Sequence, residues 1–254
     1  MNFYVLTLFP EMIYSGLNYS IIKRALDKNI INIETINIRD FSNNKHRQVD
    51  DYPYGGGAGM VMKPEPIYLA YESVKAKTGS NTRVVFMTPC GKTYNQKIAE
   101  EFSKEDNLIL LCGHYEGIDE RVLDLIVTDE ISLGDFVITG GELAAMTVID
   151  SVSRLIPGVL SKEESYMNES FSNGLLEYPQ YTRPYNFNGI KVPDILISGH
   201  HKNIDKWRRE KSIEKTYKKR PDLINDLIDE FDKDDMDFLK KLYIKSSEYT
   251  NFKF

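Results

Sequence analysis

The sequence predicts an α/β fold with a parallel sheet, followed by a small all-helical C-terminal domain. Through the first two thirds of the 254 residues, short β-rich segments alternate with segments of helical periodicity, the pattern of strand–helix–strand units. Glycines gather where the predicted strands end. Beyond about Pro193 the pattern is helical, and apolar side chains are spaced among many charged ones.

Strands are predicted where β-branched and other apolar residues cluster. They are Phe3–Leu8, Ile31–Ile38, Arg83–Met87, Leu108–Cys112 and an extended segment near Leu125–Ile131. Helices are predicted between them at about Met12–Lys28, Pro64–Lys77, Tyr94–Phe102 and Asp119–Leu125, and a longer one begins at Glu142. Thr139 or a neighbouring glycine is expected to cap that last helix. Because open α/β sheets bind ligands outside the carboxyl ends of their strands, the loops there should line one site.

The chain is long enough for a main domain and a small one. We expect an α/β domain over residues 1–160, a flexible linker over residues 161–175 and a helical domain over residues 176–254. The linker is predicted because the segment after Pro157-Gly158 is polar and lacks sustained periodicity.

The composition is that of a folded soluble protein, with 41% hydrophobic and 28% charged residues. No apolar run approaches the roughly 20 residues that cross a bilayer, and the first residues lack the features of a signal peptide. Cys90 and Cys112 are far apart and have no C-x-x-C spacing, so reduced thiols are expected rather than a disulfide or a zinc site. These features predict a cytoplasmic protein.

The net charge of −6 argues against a protein that coats nucleic acid indiscriminately, because such binding neutralises many phosphates. Any RNA contact must come from a local patch. One basic stretch stands out, and it comprises Lys202, Lys206, Arg208, Arg209, Lys211, Lys215, Lys218, Lys219 and Arg220. The next stretch, residues 222–237, is acidic. Taken alone, such runs are more often solvated helix faces than binding sites.

Three glycine-rich segments carry the candidate chemistry. Asp50–Met60 contains four glycines but neither G-K-[ST] nor G-x-G-x-x-G, so it is either a ligand-approaching loop or a flexible surface loop. Cys112–Arg121 suits a pocket in which backbone amides bind a small polar ligand while Tyr115 covers its ring. His114 is left outside the site, since a lone histidine is more often structural or solvent-facing. Ser132–Glu142 is a third loop of the same kind.

Five segments of the sequence closely resemble the TrmD family of bacterial tRNA (guanine-N1)-methyltransferases. They are DYPYGGGAGM, CGHYEGIDERV, SLGDFVITGGELAAMTVIDSVSRLIPGVL, ESFSNGLLEYPQYTRP and HKNIDKWRREKSIEKTYKKRPDLI. They occur in order, at the family's spacing, and nearly from end to end. Any one of them is weak evidence, but five in series are very specific.

The resemblance implies a SPOUT-class domain with a deep trefoil knot, a feature almost absent from other proteins. It also implies a homodimer with active sites at its interface, S-adenosylmethionine as methyl donor, and tRNA as substrate. The implied acceptor is N1 of the guanine immediately 3′ of the anticodon, position 37. The implied donor-binding residues are Thr88, Pro89, Gly113, Tyr115, Glu116, Ser132, Leu133, Gly134, Phe136, Val137, Ile138, Gly140 and Gly141.

By the same resemblance, Arg154 is the arginine that stabilises charge on guanine O6, and Glu169 is the general base. N1 of guanine carries a proton at neutral pH, so its methylation requires a base. The family usually has aspartate where Glu169 stands, and the extra methylene displaces the carboxylate by about an ångström. Asp50 and Gly59 are implied to contact the target guanine and its neighbour. Family members often depend on Mg²⁺, but no metal ligand is predicted from this sequence.

Two alternatives stay open. One is another SPOUT methyltransferase that acts on a ribosomal uridine or a ribose hydroxyl. The other is a nucleotide- or RNA-binding module in which the Asp-to-Glu change has silenced catalysis. The loop at Glu169–Phe171 and the two-domain layout favour the guanine-N1 family over the first alternative. Methyl transfer from labelled donor to tRNA separates catalysis from the second.

Overall fold

A computed structural model describes residues 1–160 and 169–250 of the chain, with side chains up to residue 244. The chain divides into two compact units, unit 1 (Met1–Glu163) and unit 2 (Glu164–Phe254). Residues 161–168, the first part of the predicted linker, lie outside the described residues. In the part that is described, no helix is both long and apolar enough to cross a membrane.

Unit 1 is built on a five-stranded sheet in the order β2-β1-β6-β5-β7, and all its neighbouring strands are parallel. Its strands are β1 (Asn2–Thr7), β2 (Asn32–Asn37), β5 (Arg83–Thr93), β6 (Asn107–Cys112) and β7 (Asp129–Ser132). A separate antiparallel pair consists of β3 (Asp50–Asp51) and β4 (Val61–Met62). The predicted α/β class with a central parallel sheet is confirmed.

The central strands are apolar on both faces, which explains their position in the middle of the sheet. In β6, Leu108 and Leu110 belong to one hydrophobic cluster, whereas Ile109 and Leu111 belong to the other. Helices cover both faces of the sheet and bury these clusters. The helices of unit 1 are α1 (Pro10–Leu17), α2 (Ser20–Asp27), α3 (Pro64–Thr78), α4 (Gln96–Phe102), α5 (Glu120–Ile126) and α6 (Glu142–Ser153).

The prediction of one continuous helix over Met12–Lys28 is wrong, because the segment forms two helices. α1 ends at Leu17, and the N–H of the next residue, Asn18, donates to the carbonyl of Tyr14. Ser20, the first residue of α2, has a φ of 52°, a left-handed value that prevents one helix from running through this point. The start is also earlier than predicted, since Pro10 suits the first turn of a helix.

Two strand boundaries also differ from the prediction. β5 does not stop at Met87, because a bulge lets both Met87 and Lys92 lie opposite Ile131 of β7. The extended segment predicted at Leu125–Ile131 begins as helix, since Val122, Leu123 and Ile126 bury one face of α5. Only its last part joins the sheet as β7.

Unit 2 contains α7 (His201–Lys219), α8 (Pro221–Leu227) and α9 (Lys233–Thr250). Its core holds Leu175, Ile213 and Ile224. The prediction that this domain is all-helical is wrong, because β8 (Asn186–Phe187) and β9 (Ile190–Lys191) form an antiparallel hairpin. The turn at Asn188-Gly189 explains it, since both residues have positive φ and Asn-Gly is the preferred pair for such a hairpin.

We predict that Gly91→Ala destabilises the protein through the β5 bulge. A Cβ at Gly91 would clash with the backbone of Glu130 and Ile131, which cannot move aside without disturbing β7. Overpacking of this kind lowers the free energy of unfolding by about 1–3 kcal/mol. Urea denaturation measures the loss, and Cys90→Ala at the exposed neighbouring position is the control. Equal midpoints for the two variants would contradict the clash.

Candidate functional site

A cavity of about 330 Å³ lies at the carboxyl ends of β5, β6 and β7 in unit 1. Three loops form it, one from each of these adjacent parallel strands. All of the residues predicted to bind the donor line this cavity, namely Thr88, Pro89, Gly113, Tyr115, Glu116, Ser132, Leu133, Gly134, Phe136, Val137, Ile138, Gly140 and Gly141. Its volume falls in the range of about 300–1,000 Å³ that is usual for small-molecule sites.

Two consecutive glycines let the loop after β7 pack against the end of β6. The N–H of Gly141 donates to the carbonyl of Gly113 at 3.1 Å. A Cβ at Gly141 would lie 2.7 Å from Cα of Cys112, and one at Gly140 would clash with the ring of His114. Any side chain at either position would therefore push the loop away from β6 and change the cavity wall.

A buried carboxylate, Glu142, connects three parts of the cavity wall. It is the first residue of α6, where the helix dipole favours a negative charge, and its side chain is 1% exposed. The Thr7 hydroxyl donates to its Oε1 at 2.5 Å, and Nε2 of His114 lies 2.7 Å from its Oε2. The end of β1, the loop after β6 and the start of α6 are thus joined by one hydrogen-bonded group.

The sequence did not reveal this network. His114, which the prediction left outside the site, bonds to Glu142 and lines the cavity. Position Glu142 was predicted only as a helix start. The partners of Glu142 are 28 and 135 residues away along the chain, so no local pattern could indicate its burial.

The cavity wall continues into the segment that carries the predicted substrate residues. The N–H of Glu116 donates to the carbonyl of Met60 at 3.0 Å. Gly59, with a φ of +84°, packs so closely on Glu116 that a Cβ there would clash with the carboxylate. Asp50 pairs with Met62 across β3 and β4. Asp50 and Gly59 therefore lie on a segment that is hydrogen-bonded to the loop of Tyr115 and Glu116.

Arg154 lies at the other end of α6. It caps the C-terminus of the helix, and its N–H donates to the carbonyl of Asp150 at 3.2 Å. The helix begins at the cavity, and at 1.5 Å per residue its 12 residues put Arg154 roughly 18 Å along the axis from it. Within unit 1, the structure does not bring Arg154 to the cavity.

Glu169 lies in unit 2, on a folded turn that is attached to α7. The N–H of Phe171 donates to the carbonyl of Leu175 at 2.7 Å, and Leu175 is 1% exposed in the core of the unit. The N–H of Leu176 donates to the Thr216 hydroxyl at 2.9 Å. Residues 169–175 of the predicted linker are thus held against α7.

Glu169 contributes to a second cavity of about 200 Å³, which lies within unit 2 between that turn and α7. It is more polar than the first cavity. Its lining residues are Glu169, Asn173, Leu176, Glu177, Tyr178, Asp205, Arg208, Arg209 and Ser212.

Most cations of the basic stretch have acidic partners in unit 2. Arg209 forms one of these pairs, at 2.6 Å from the buried Asp235. The others are Lys206 with Asp234, Arg208 with Asp205, Lys211 and Lys218 with Glu214, and Arg220 with Asp222. Exposed pairs of this kind contribute little to stability, so their cations remain available to other anions.

The two thiols differ in environment. Cys90 is exposed and lines the first cavity, whereas Cys112 is buried at the end of β6. Burial, and then the nearby charge of Glu142, raises the pKa of the Cys112 thiol well above its usual value. In the part of the chain that the structure describes, no three His, Cys, Asp or Glu residues are grouped to hold a metal ion.

The chain is similar to proteins of one family. Residues 1–226 match the family described as tRNA (Guanine-1)-methyltransferase TrmD. Three similar proteins are each named tRNA (guanine-N(1)-)-methyltransferase. The protein of Lachnospira eligens is 60% identical over 90% of this chain and 97% of its own. That of Clostridioides difficile is 60% identical over 88% and 97%, and that of Clostridium beijerinckii is 62% identical over 94% and 98%.

We predict that Thr7→Val weakens unit 1 through Glu142. The substitution keeps the shape of the side chain but leaves the buried carboxylate without one of its donors and the N–H of Phe9 without its acceptor. An unsatisfied buried group of this kind costs about 1–3 kcal/mol. Thr147→Val is the matched control, because that hydroxyl bonds only to its own helix at an exposed position. Urea denaturation should show a lower free energy of unfolding for Thr7→Val alone. A loss no larger than that of the control would mean that the bond contributes nothing.

Proposed function

The chain belongs to the TrmD family of tRNA (guanine-N1)-methyltransferases, and from this membership we propose that it transfers the methyl group of S-adenosylmethionine to N1 of guanine 37 in tRNA. The observation that carries the proposal is the convergence of all predicted donor residues on one cavity at the carboxyl ends of three parallel strands. The proposed location is cytoplasmic.

The cavity wall fits S-adenosylmethionine. Gly113, Gly140 and Gly141 line the cavity without side chains, so a bound donor can approach the backbone closely there. Tyr115 and Phe136 expose rings that can cover the adenine. Tyr115 has a φ of 61°, a strained value for a non-glycine residue and one that is often found in ligand sites. When bound, the donor supplies a methyl group activated by its sulfonium.

The proton of guanine N1 is proposed to pass to the carboxylate of Glu169. This glutamate lines a polar cavity on a turn fixed to α7, so its carboxylate can be held in place for proton transfer. As the proton leaves, negative charge builds on O6, and the guanidinium of Arg154 is proposed to stabilise it. Asp50 and Gly59 are proposed to contact the guanine and its neighbour.

A homodimer is proposed because Arg154 does not lie at the first cavity within one copy of unit 1. The two lie at opposite ends of α6, so an Arg154 that serves this reaction has to come from a second copy. Met12 of α1 and Leu143 of α6 expose apolar side chains on helices that pack together, which supports an interface there.

The trefoil knot of the SPOUT class is part of the same proposal. β5 separates β6 from β7 in the sheet, yet Gly141 after β7 bonds to Gly113 after β6. The loop after β7 therefore crosses the end of β5 to reach the end of β6. This crossing supports a knotted path of the chain.

We propose that the basic stretch of α7 contacts tRNA phosphates. Its lysines and arginines are the local positive patch that an acidic chain needs for RNA binding. Contacts to phosphate position the RNA without reading its sequence, so selection of the guanine falls to the two cavities and Arg154.

The function is tested by methyl transfer from labelled donor to tRNA transcripts, with mapping of the modified atom. We expect methyl at N1 when guanine follows the anticodon and none when adenine does. Glu169→Gln should lower the single-turnover rate by about 10²–10⁴-fold, because an amide cannot accept the proton, while donor affinity is unchanged. Glu230→Gln, which removes an exposed carboxylate of unit 2, is the control.

Methyl on another atom would refute the proposed function. A near-normal rate for Glu169→Gln would refute only the assignment of the base. Absence of transfer with intact donor binding would instead favour a module that binds RNA without catalysis.

The donor site is tested by thiol labelling. A thiol reagent should modify Cys90 in the folded protein and leave Cys112 unmodified, because only the first is exposed and the pKa of the second is raised. S-adenosylmethionine at about ten times its Kd should slow the labelling of Cys90 by about tenfold. Cys90→Ala is the control and should take up no label until it unfolds. Labelling that the donor does not slow would place its site elsewhere.

A further inference from the structure

The second cavity has the charge of a site for a neutral polar ring rather than for a phosphate. Its wall carries three carboxylates, from Glu169, Glu177 and Asp205, against two guanidiniums. One of these, on Arg209, is held at 2.6 Å by Asp235. The remaining excess of negative charge repels an anion, whereas a nucleobase brings hydrogen-bonding groups without a charge.

Arg208 is the cation of this cavity that an acidic side chain holds only loosely. Its guanidinium lies 5.0 Å from the centre of the Tyr178 ring. Its acidic contact is Asp205, at a long 3.5 Å. Among the described residues, its Nε is buried without any hydrogen-bond partner. A stacked arginine is fixed in orientation but keeps its in-plane donors, and an unsatisfied buried donor in a native protein calls for an explanation.

Guanine complements this arrangement. Its N1–H and exocyclic amino group are donors that suit the carboxylate of Glu169. Its O6 and N7 are acceptors that suit arginine, which is the commonest contact to that edge. The proposed mechanism already assigns O6 to Arg154, so N7 is the acceptor left for a second arginine.

We propose that Arg208, stacked on Tyr178, donates a hydrogen bond to N7 of the substrate guanine while Glu169 faces N1. This inference rests on the proposed function. It assigns Arg208, which lines the second cavity, to the guanine and leaves the phosphate contacts to the rest of the basic stretch. Glu169 and Arg208 come from different elements, the turn and α7, so they can hold the ring between them. Such a hold fixes N1 in the orientation that methyl transfer requires.

The test compares tRNA that carries guanine at the target position with tRNA that carries 7-deazaguanine, which lacks the N7 acceptor. Single-turnover methylation by the unaltered protein should be about tenfold slower on 7-deazaguanine, as expected for the loss of one charge-assisted hydrogen bond. Arg208→Gln should be slow on guanine and lose no further rate on 7-deazaguanine. Arg208→Lys, which keeps the charge but not the planar stack, should behave in the same way.

Lys206→Ala is the matched control. It removes one positive charge from the same helix at a position that does not line the cavity. It should weaken tRNA binding to the same extent on both RNAs, so the tenfold preference for guanine should remain. The guanine-to-7-deazaguanine rate ratio is compared between variants. Any effect of 7-deazaguanine on the acidity of N1 is the same for every variant, so it cancels in this comparison.

The rates of the unaltered protein on the two RNAs are enough to overturn the inference. A variant that fails to fold therefore does not prevent a decision. Equal rates on the two RNAs, with methyl still placed on N1, refute the N7 contact and leave the proposed function intact. No methyl on N1 of either RNA refutes the proposed function itself. If Arg208→Gln keeps the tenfold preference and reduces the salt dependence of tRNA affinity, Arg208 contacts a phosphate and the inference is wrong.

Discussion

The shape of the first cavity depends on the close contact between the loop after β7 and the end of β6. Gly141 bonds to Gly113, and there is no room for a Cβ between Gly141 and Cys112. The next residue, Glu142, then carries a buried charge into hydrogen bonds with Thr7 and His114. A buried carboxylate is tolerated only when its partners are in place, so this contact also fixes the end of β1 and the start of α6.

The candidate chemistry is divided between the two units, and each part is supported by its own core. In unit 1 the donor residues lie on loops that follow buried strands. In unit 2, Glu169 lies on a turn that is anchored by Leu175 and by the Thr216 hydroxyl. Rigid elements beneath short functional segments are what precise positioning of two reactants requires.

Local patterns predicted β1, β6 and the start of α6 well, because their apolar residues follow one period without interruption. They failed where a single backbone feature intervenes, as at Ser20, the first residue of α2, or at the β5 bulge opposite Ile131. The Asn188-Gly189 hairpin did carry a local signal, but it was included in the helical domain whose helical pattern begins only at about Pro193. The donor residues came from resemblance to a family and not from periodicity. Neither source could indicate contacts between distant residues, such as Glu142 with Thr7 or Arg208 with Tyr178.

The position of β1 inside the sheet has a consequence for synthesis on the ribosome. β1 leaves the exit tunnel well before β6, which is one of its two neighbours in the sheet and in which Asn107 pairs with Asn2. Until that later strand has been translated, one edge of the apolar strand β1 has no native partner on the nascent chain. Unpaired strand edges promote aggregation, so a newly made chain depends on chaperones or rapid elongation to protect this edge.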